Sequence, residues 1–178
     1  MATSFIQEVI KEFNRYKELG EKTISQLPDD KLFWHYNDES NSIAVIVKHM
    51  TGNMLSRWTD IFDTDGEKEW RKRDEEFVND VQSREELLVI WNRGWDKLFE
   101  TLNNLTPFDL ERIIYIRSEA LTVSEAILRQ AAHYPYHVGQ IVYIGKMVMD
   151  QEWHSLSIPK NQSGEFNKRK FNEGRGNR

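Results

Sequence analysis

The sequence predicts an all-α protein, a four-helix bundle with long connections between its helices. Four long segments carry apolar residues at spacings of three and four, which is the period of an amphipathic helix. The segment ERIIYIRSEAL at 111–121 is rich in β-branched residues, which indicates a short extended segment or hairpin before the last long helix. The connections at 28–41 and 63–82 are longer than a compact bundle requires, and such connections often carry function.

The first two helices are bounded by clear signals. Apolar residues recur from Phe5 to Leu27, and Pro28 ends this helix because proline lacks the backbone N–H that the helix would use. The second helix is predicted for residues 42–62, where an Asn-Ser pair supplies the N-terminal cap.

Capping boxes mark the starts of the third and fourth helices. The third begins at Ser83 with the pattern SREE and continues to Leu105, where Thr-Pro follows. The fourth begins near Thr122 with the pattern TVSE and continues to about Asp150. We therefore expect one bundle domain over 1–160.

The last residues, 161–178, are expected to form a partly disordered C-terminal extension. Their basic end, KRKFNEGRGNR, is interpreted as a frayed and solvated terminus.

Composition restricts the classes of function. The chain contains no cysteine, which excludes disulfides, thiolate metal sites and a cysteine nucleophile, so any thiol chemistry needs a thiol brought by a ligand. A net charge of −5 gives no general attraction to nucleic acid or to an anionic membrane. No apolar run approaches the roughly 20 residues that cross a bilayer, and the N-terminus lacks the basic start and apolar core of a signal peptide. We expect a cytoplasmic protein.

A pair of histidines four residues apart is the first candidate for chemistry. His133 and His137 lie in HYPYHVGQ, and on a helix this spacing directs both imidazoles to one point, which is half of a metal site. The metalloprotease motif HExxH shares the spacing, but Tyr134 stands where its glutamate would be, so a protease is rejected. A purely structural pair is the alternative. Pro135 inside the helix costs on the order of 3 kcal/mol, which indicates either a geometry held for function or a kink that fits the neighbours.

A third histidine completes the candidate set. His49 lies within the apolar run of the second helix, where it is either a hydrogen-bonded core histidine or a ligand facing the other pair. Three imidazoles from two helices would leave coordination positions open for water or substrate. His35 and His154 lack such spacing and are interpreted as structural or surface residues.

The histidine motifs VKHM and HYPYHVGQ, far apart in the chain, resemble those of the DinB-like superfamily of metal-binding four-helix bundles. The stretches DGEKEWRKRDEEF at 65–77 and LSIPKNQSGEFN at 156–167 resemble a narrower branch of it whose members have unknown function. The resemblance implies a divalent zinc, nickel or iron ion held by His49, His133 and His137, and a homodimer. Some relatives are S-transferases that use bacillithiol, mycothiol or glutathione, and another is a mycothiol-dependent isomerase. Pro135 departs from the pattern of the ligand helix.

Two classes of function follow as hypotheses. The first is a metal-dependent S-transferase that joins a low-molecular-weight thiol, such as bacillithiol, to a small electrophile. Activation of water for hydrolysis would use the same ion, and the sequence does not distinguish the two. The second class is a non-catalytic metal-binding or sensing module. Neither a nucleic acid nor a membrane is expected as a partner.

Three further residues have candidate roles next to the metal, and two tyrosines are assigned to packing. Gln140 is placed to hydrogen-bond a metal-bound water or ligand, or else to pack against a neighbouring helix. Arg71 and Arg73 are candidates for binding the carboxylates of a thiol cofactor, with a solvated charged loop as the alternative. Tyr134 is assigned to core or dimer packing, as is Tyr136.

Overall fold

Helices account for 65% of the structure, a computed structural model that describes residues 2–174. Four helices are long: α1 Ala2–Ile24, α3 Ile43–Trp58, α4 Arg84–Asn104 and α5 Val123–Met149. Two are short: α2 Asp29–Leu32 and α6 Ser163–Asn172. Turns of 3-10 helix occupy Arg73–Phe77, Pro107–Glu111 and Asp150–Glu152, and the strands are β1 Ile113–Ile116 and β2 Glu119–Thr122. The chain is therefore mostly helical, with one two-stranded hairpin before α5, as the sequence predicts.

The N-terminal caps were predicted closely. Ser42 Oγ accepts a hydrogen bond from the Val45 amide, and Ser83 Oγ accepts one from the Glu86 amide. Thr122 and Glu125 form a reciprocal capping box at the start of α5. At α4 the box is not reciprocal, because the Glu86 carboxylate accepts from the Gln82 amide instead.

Two helix ends fall earlier than the periodicity predicts. Helix α1 ends at Ile24, and a turn with 3-10 hydrogen bonds leads from it to Pro28. Helix α3 ends at Trp58 because Thr59 is extended and Asp60 adopts a left-handed φ of 46°, which stops the helical path. The predicted continuation to Phe62 is therefore wrong by one turn.

The four long helices pack around an aromatic core. Helix α3 contacts α4 and α5, and α1 contacts α5 and α4, so each long helix has two long neighbours. The largest fully buried side chains include Phe13, Trp58, Trp91, Trp95 and Tyr134. Helix α3 is buried on most sides, so a polar residue in its middle must find partners from the surrounding elements.

The long connection after α3 is attached to the hairpin. The hairpin turn places Arg117 and Ser118 at φ values of 54° and 62°, which is the geometry of a two-residue hairpin loop. The backbone amides of both residues donate to the Asp65 carboxylate at 2.8 Å, and the Gly66 amide donates to the Tyr115 carbonyl at 2.7 Å. These bonds hold the connection and the hairpin turn next to each other, beside the C-terminal end of α3, where Ser56 and Arg57 donate to the Gly66 carbonyl.

The predicted C-terminal extension contains α6. Its residues are mostly exposed, and residues 175–178 of the predicted frayed end lie outside the described residues. Along the described part of the chain, no helix is both long enough and apolar enough to cross a bilayer.

Candidate metal centre

Three histidines from two helices meet beside the middle of α3. His49 comes from α3, while His133 and His137 lie one turn apart on α5. One ring nitrogen of each lies within 4.8 Å of the others. The structure thus brings together the three residues predicted as ligands, and among the described residues no carboxylate joins them as a fourth member of this group.

The two histidines of α5 approach each other through their Nε2 atoms, which are 3.0 Å apart. The Nδ1 atom of His137 lies 2.9 Å from Gln140 Oε1 and donates to it, so Nε2 of His137 carries a lone pair. His133 Nδ1 is buried without a partner. If the proton of His133 is on Nδ1, the Nε2 lone pairs of His133 and His137 face each other. If the proton is on Nε2, the buried Nδ1 of His133 has a lone pair with no hydrogen-bond donor. A cation between the Nε2 atoms would remove the repulsion of the first arrangement.

His49 is oriented by a buried carboxylate. Its Nδ1 lies 3.0 Å from Glu76 Oε2 and donates to it, which leaves the lone pair on Nε2. Glu76 also accepts from Arg71, at 2.7 Å from Nε to Oε1 and at 2.9 Å from an Nη to Oε2. Only 2% of the Arg71 side chain is exposed, so this bidentate pair is inside the protein.

Glycine makes room for this carboxylate. A Cβ atom added to Gly52, one turn after Lys48 on α3, would lie 2.1 Å from Glu76 Oε1. The carboxylate therefore rests directly on the α3 backbone, and His49 and Arg71 hold it there.

Burial and neighbouring charge set the protonation states. Burial lowers the pKa of His133 to about 4, with further contributions from His137, His49 and the arginines Arg57 and Arg71. Burial likewise lowers the pKa of His137. For Glu76 burial opposes ionisation, but the hydrogen bonds from His49 and Arg71 outweigh it and lower the pKa. Near pH 7 the α5 imidazoles are thus neutral and able to act as ligands.

The residues present fit a divalent ion. With metal–nitrogen bonds of about 2.0–2.1 Å, neighbouring nitrogens in a tetrahedral site are roughly 3.3 Å apart. The His133–His137 pair at 3.0 Å is near this spacing, and a ring nitrogen of His49 lies within 4.8 Å of both. Carboxylate and amide oxygens behind the rings, here from Glu76 and Gln140, are the usual partners of metal-binding histidines.

A cavity of about 260 Å³ opens beside His49 and His133. It is lined by five arginines and by two amide side chains: Arg57, Arg71, Arg73, Arg117, Arg129, Asn53 and Gln130.

The predicted arginines lie in different settings. Arg71 is buried against Glu76 and Glu67, whereas Arg73 is exposed and lies over the Phe77 ring at 5.0 Å. Both line the cavity.

The remaining predicted residues are not members of the three-histidine cluster, although the Tyr134 and Tyr136 rings lie next to those of His133 and His137. His35 and His154 are exposed. Tyr134 is fully buried and Tyr136 is 63% exposed, although they are separated by one residue. Helix α5 passes through Pro135 without ending.

Sequence reasoning missed the groups behind and beside the histidines. Glu76 lies 27 positions from His49 in an acidic run, and neither periodicity nor a motif relates the two. Glu67 was missed as well. Its Oε2 atom forms ion pairs with Arg57, Arg71 and Arg117. The one available signal was that the run 65–77 mixes arginines and acids after a buried histidine helix.

The fold and this geometry define a helical protein with a candidate three-histidine metal centre. The chain belongs to the family DUF1572, described as a protein of unknown function, whose family model matches residues 1–162. Helix α6 lies beyond the matched range. Among curated proteins, no significant match to the chain was found.

Proposed function

We propose that this protein is a DinB-like four-helix bundle whose His49, His133 and His137 hold a divalent metal ion, and that it is a metal-dependent S-transferase. Its substrates are a low-molecular-weight thiol, such as bacillithiol, and a small electrophile. One observation carries the proposal: His49 and His137 each donate Nδ1–H to an oxygen, which leaves the lone pair on Nε2, and one ring nitrogen of each of the three histidines lies within 4.8 Å of the others. A core histidine with no ligand role would not need this common orientation.

An open site is favoured over a closed structural one. Structural zinc sites have four protein ligands, whereas catalytic sites have three and an open position. The described residues offer three, and the carboxylate beside His49, that of Glu76, is engaged by His49 Nδ1 and by Arg71. The adjoining cavity of about 260 Å³ gives a small molecule access to the same place.

The thiol must come from a ligand, because the chain has no cysteine. When bound, a divalent ion supplies positive charge that lowers the pKa of a coordinated thiol. The protein contributes neutral imidazoles, since burial keeps the pKa values of His133 and His137 low, and it holds their orientation through Gln140. Imidazole donors suit zinc, nickel and iron, which are the ions we propose.

Metal analysis of the purified protein tests the ligand set. We expect one equivalent of zinc, nickel or iron in the wild type, and less than a tenth of it in His49→Ala and His137→Ala. His154→Ala is the matched control, because His154 is an exposed histidine away from the cluster. Equal metal content in all four proteins would contradict the ligand set.

A thiol assay on the metal-loaded protein tests the activity. With bacillithiol or glutathione and 1-chloro-2,4-dinitrobenzene, a sulfur–carbon bond forms, chloride leaves and the thiol proton passes to the buffer. We expect turnover by the wild type and by His154→Ala but not by His137→Ala. Full metal occupancy without thiol turnover would contradict the transferase and favour the non-catalytic module, whereas hydrolysis of a test ester instead would favour a hydrolase.

A further inference from the structure

The cavity next to the histidines is lined mainly by arginine side chains. Five guanidinium groups line it, from α3, the connection, the hairpin turn and α5, and its lining contains no carboxylate. Arginines contributed by four separate parts of the chain indicate a site assembled by the fold and not one run of charge along a single loop.

The carboxylates that pair with these arginines are fewer than the arginines themselves. Glu67 serves Arg57, Arg71 and Arg117, and Glu76 serves Arg71. Glu119 pairs with Arg129. Three carboxylates thus pair with four of the five guanidinium groups, so the guanidinium groups are in excess. Asp65 accepts the backbone amides of Glu67, Arg117 and Ser118, and it interacts with the charges of Arg57 and Lys68.

Three of the arginines are available to a ligand. Arg73 makes no ion pair within residues 2–174. The side chains of Arg117 and Arg129 are 57% and 49% exposed, so their surface pairs with Glu67 and Glu119 are weak. The forked donors of arginine match the paired oxygens of carboxylate and phosphate groups.

Gln130 supplies an independent indication of a ligand. This residue is 3% exposed, lines the cavity, and its Oε1 atom is buried without a hydrogen-bond partner. A buried polar atom left unpaired is costly, so native proteins rarely keep one without a reason. Gln130 precedes His133 by three residues on α5, which places its amide on the face that carries the histidines.

We infer that this cavity binds an oxyanion group of the substrate: a carboxylate or phosphate held by Arg73, Arg117 and Arg129, with a hydroxyl or amide N–H of the same molecule donating to Gln130. Its volume of about 260 Å³ lies below the roughly 300–1,000 Å³ of most ligand pockets, so the bound portion is small. The inference deepens the proposed function by naming the charge of the substrate. The arginine cluster itself does not depend on the metal.

Titration of the full-length, ¹⁵N-labelled protein followed by NMR tests the inference with two probes, inorganic phosphate and succinate. Saturable shifts should appear at the backbone amides around Gln130 and in the hairpin turn. The tighter probe identifies the oxyanion as phosphate or carboxylate. Absence of saturable shifts with both probes would overturn the inference.

Variants assign the binding to the arginines. The double variant Arg73→Gln/Arg129→Gln removes two available guanidinium groups, and we expect its Kd for the tighter probe to rise by about tenfold or more. Arg93→Gln, on the exposed face of α4, is the matched control and should leave the Kd unchanged. An unchanged Kd in the double variant would also overturn the inference.

Parallel metal measurements separate the two proposals. The double variant should retain its metal, because neither arginine is one of the three ligands or hydrogen-bonds to Glu76 or Gln140, which orient them. His137→Ala without metal should still bind the probe, although more weakly. If the protein binds metal but neither anion, the oxyanion site is wrong and the metal centre stands. If the protein binds an anion but no variant or wild-type sample binds metal, the metal centre is wrong and the oxyanion site stands.

Discussion

His49 Nδ1 lies 3.0 Å from Glu76 Oε2, and the same carboxylate accepts two hydrogen bonds from Arg71. The contact fixes both the tautomer and the angle of the His49 ring. Arg71 in turn is held by Glu67, so the ring is supported by a chain of charged groups that is largely buried. Orientation of the His49 ring thus depends on the connection that follows α3.

Glu76→Gln should weaken metal binding without removing a ligand. The amide offers His49 a neutral acceptor and leaves Arg71 partly unpaired, and loss of such supporting groups costs about 10–100-fold in metal affinity. Competition against a chromophoric chelator measures the change. Glu75→Gln is the matched control, because Glu75 pairs with Lys72 on the surface. Equal affinities of the two variants would show that Glu76 does not support the ligand.

Gly52→Ala should displace the Glu76 carboxylate from its position against the α3 backbone. The added methyl group would lie 2.1 Å from Glu76 Oε1, and the carboxylate has little freedom to move because His49 and Arg71 bind it. We expect lower metal affinity and a lower free energy of unfolding, measured by chelator competition and urea denaturation.

Gly139→Ala is the matched control for Gly52→Ala. Nothing lies within 4 Å of a Cβ added at Gly139, which is exposed on α5. Alanine is favoured over glycine inside a helix by roughly 1 kcal/mol, so this variant should be more stable and bind metal normally. If Gly52→Ala and Gly139→Ala had the same metal affinity and the same free energy of unfolding, the contact between Gly52 and Glu76 would contribute to neither.

The helices and the histidine cluster were accessible to sequence reasoning because they follow local rules. The period of apolar residues predicts the long helices, and Ser42, Ser83 and Thr122 act as caps where the sequence places them. The spacing of His133 and His137 fixes their common face, since helical geometry relates residues four apart. The short helices α2 and α6 escaped detection because neither has a long apolar stripe.

The supporting groups were not accessible because tertiary contacts determine them. Glu76 is one of three consecutive acidic residues, and only the fold decides which one reaches His49. Arg117 reaches Glu67 because the hairpin turn docks on Asp65, a contact between residues about fifty positions apart. The sequence shows only that the connection is rich in charged residues. It does not distinguish a solvated loop from the partly buried ion pairs that the structure contains.

Acidification should destabilise the metal-free protein through His133. Burial holds the pKa of His133 at about 4 in the folded state, against 6.5 for an exposed histidine. Between these values the unfolded chain binds a proton that the folded chain does not, so the free energy of unfolding falls as the pH decreases from about 6.5 to about 4. Urea denaturation of chelator-treated protein at several pH values measures this decline.

His133→Gln isolates the contribution of the imidazole. The variant lacks the titrating group, so its stability should decline less steeply over this pH range than that of the wild type. Acidic residues contribute to both proteins alike and cancel in the difference. Parallel curves for the two proteins would contradict the lowered pKa of His133.

Tyr134→Phe should destabilise the protein although it removes a single oxygen. The Tyr134 hydroxyl accepts from Trp58 Nε1 at 2.9 Å and donates to Asn53 Oδ1 at 3.2 Å, and the side chain is fully buried. Its loss leaves two buried polar groups unpaired, at about 1–3 kcal/mol for each such group. Tyr136→Phe is the matched control, because Tyr136 is 63% exposed on the same helix and water can replace its hydrogen bonds. Urea denaturation should show a lower free energy of unfolding for Tyr134→Phe alone. A loss of the same size in both variants would mean that the hydroxyl bridge between α3 and α5 does not contribute to stability.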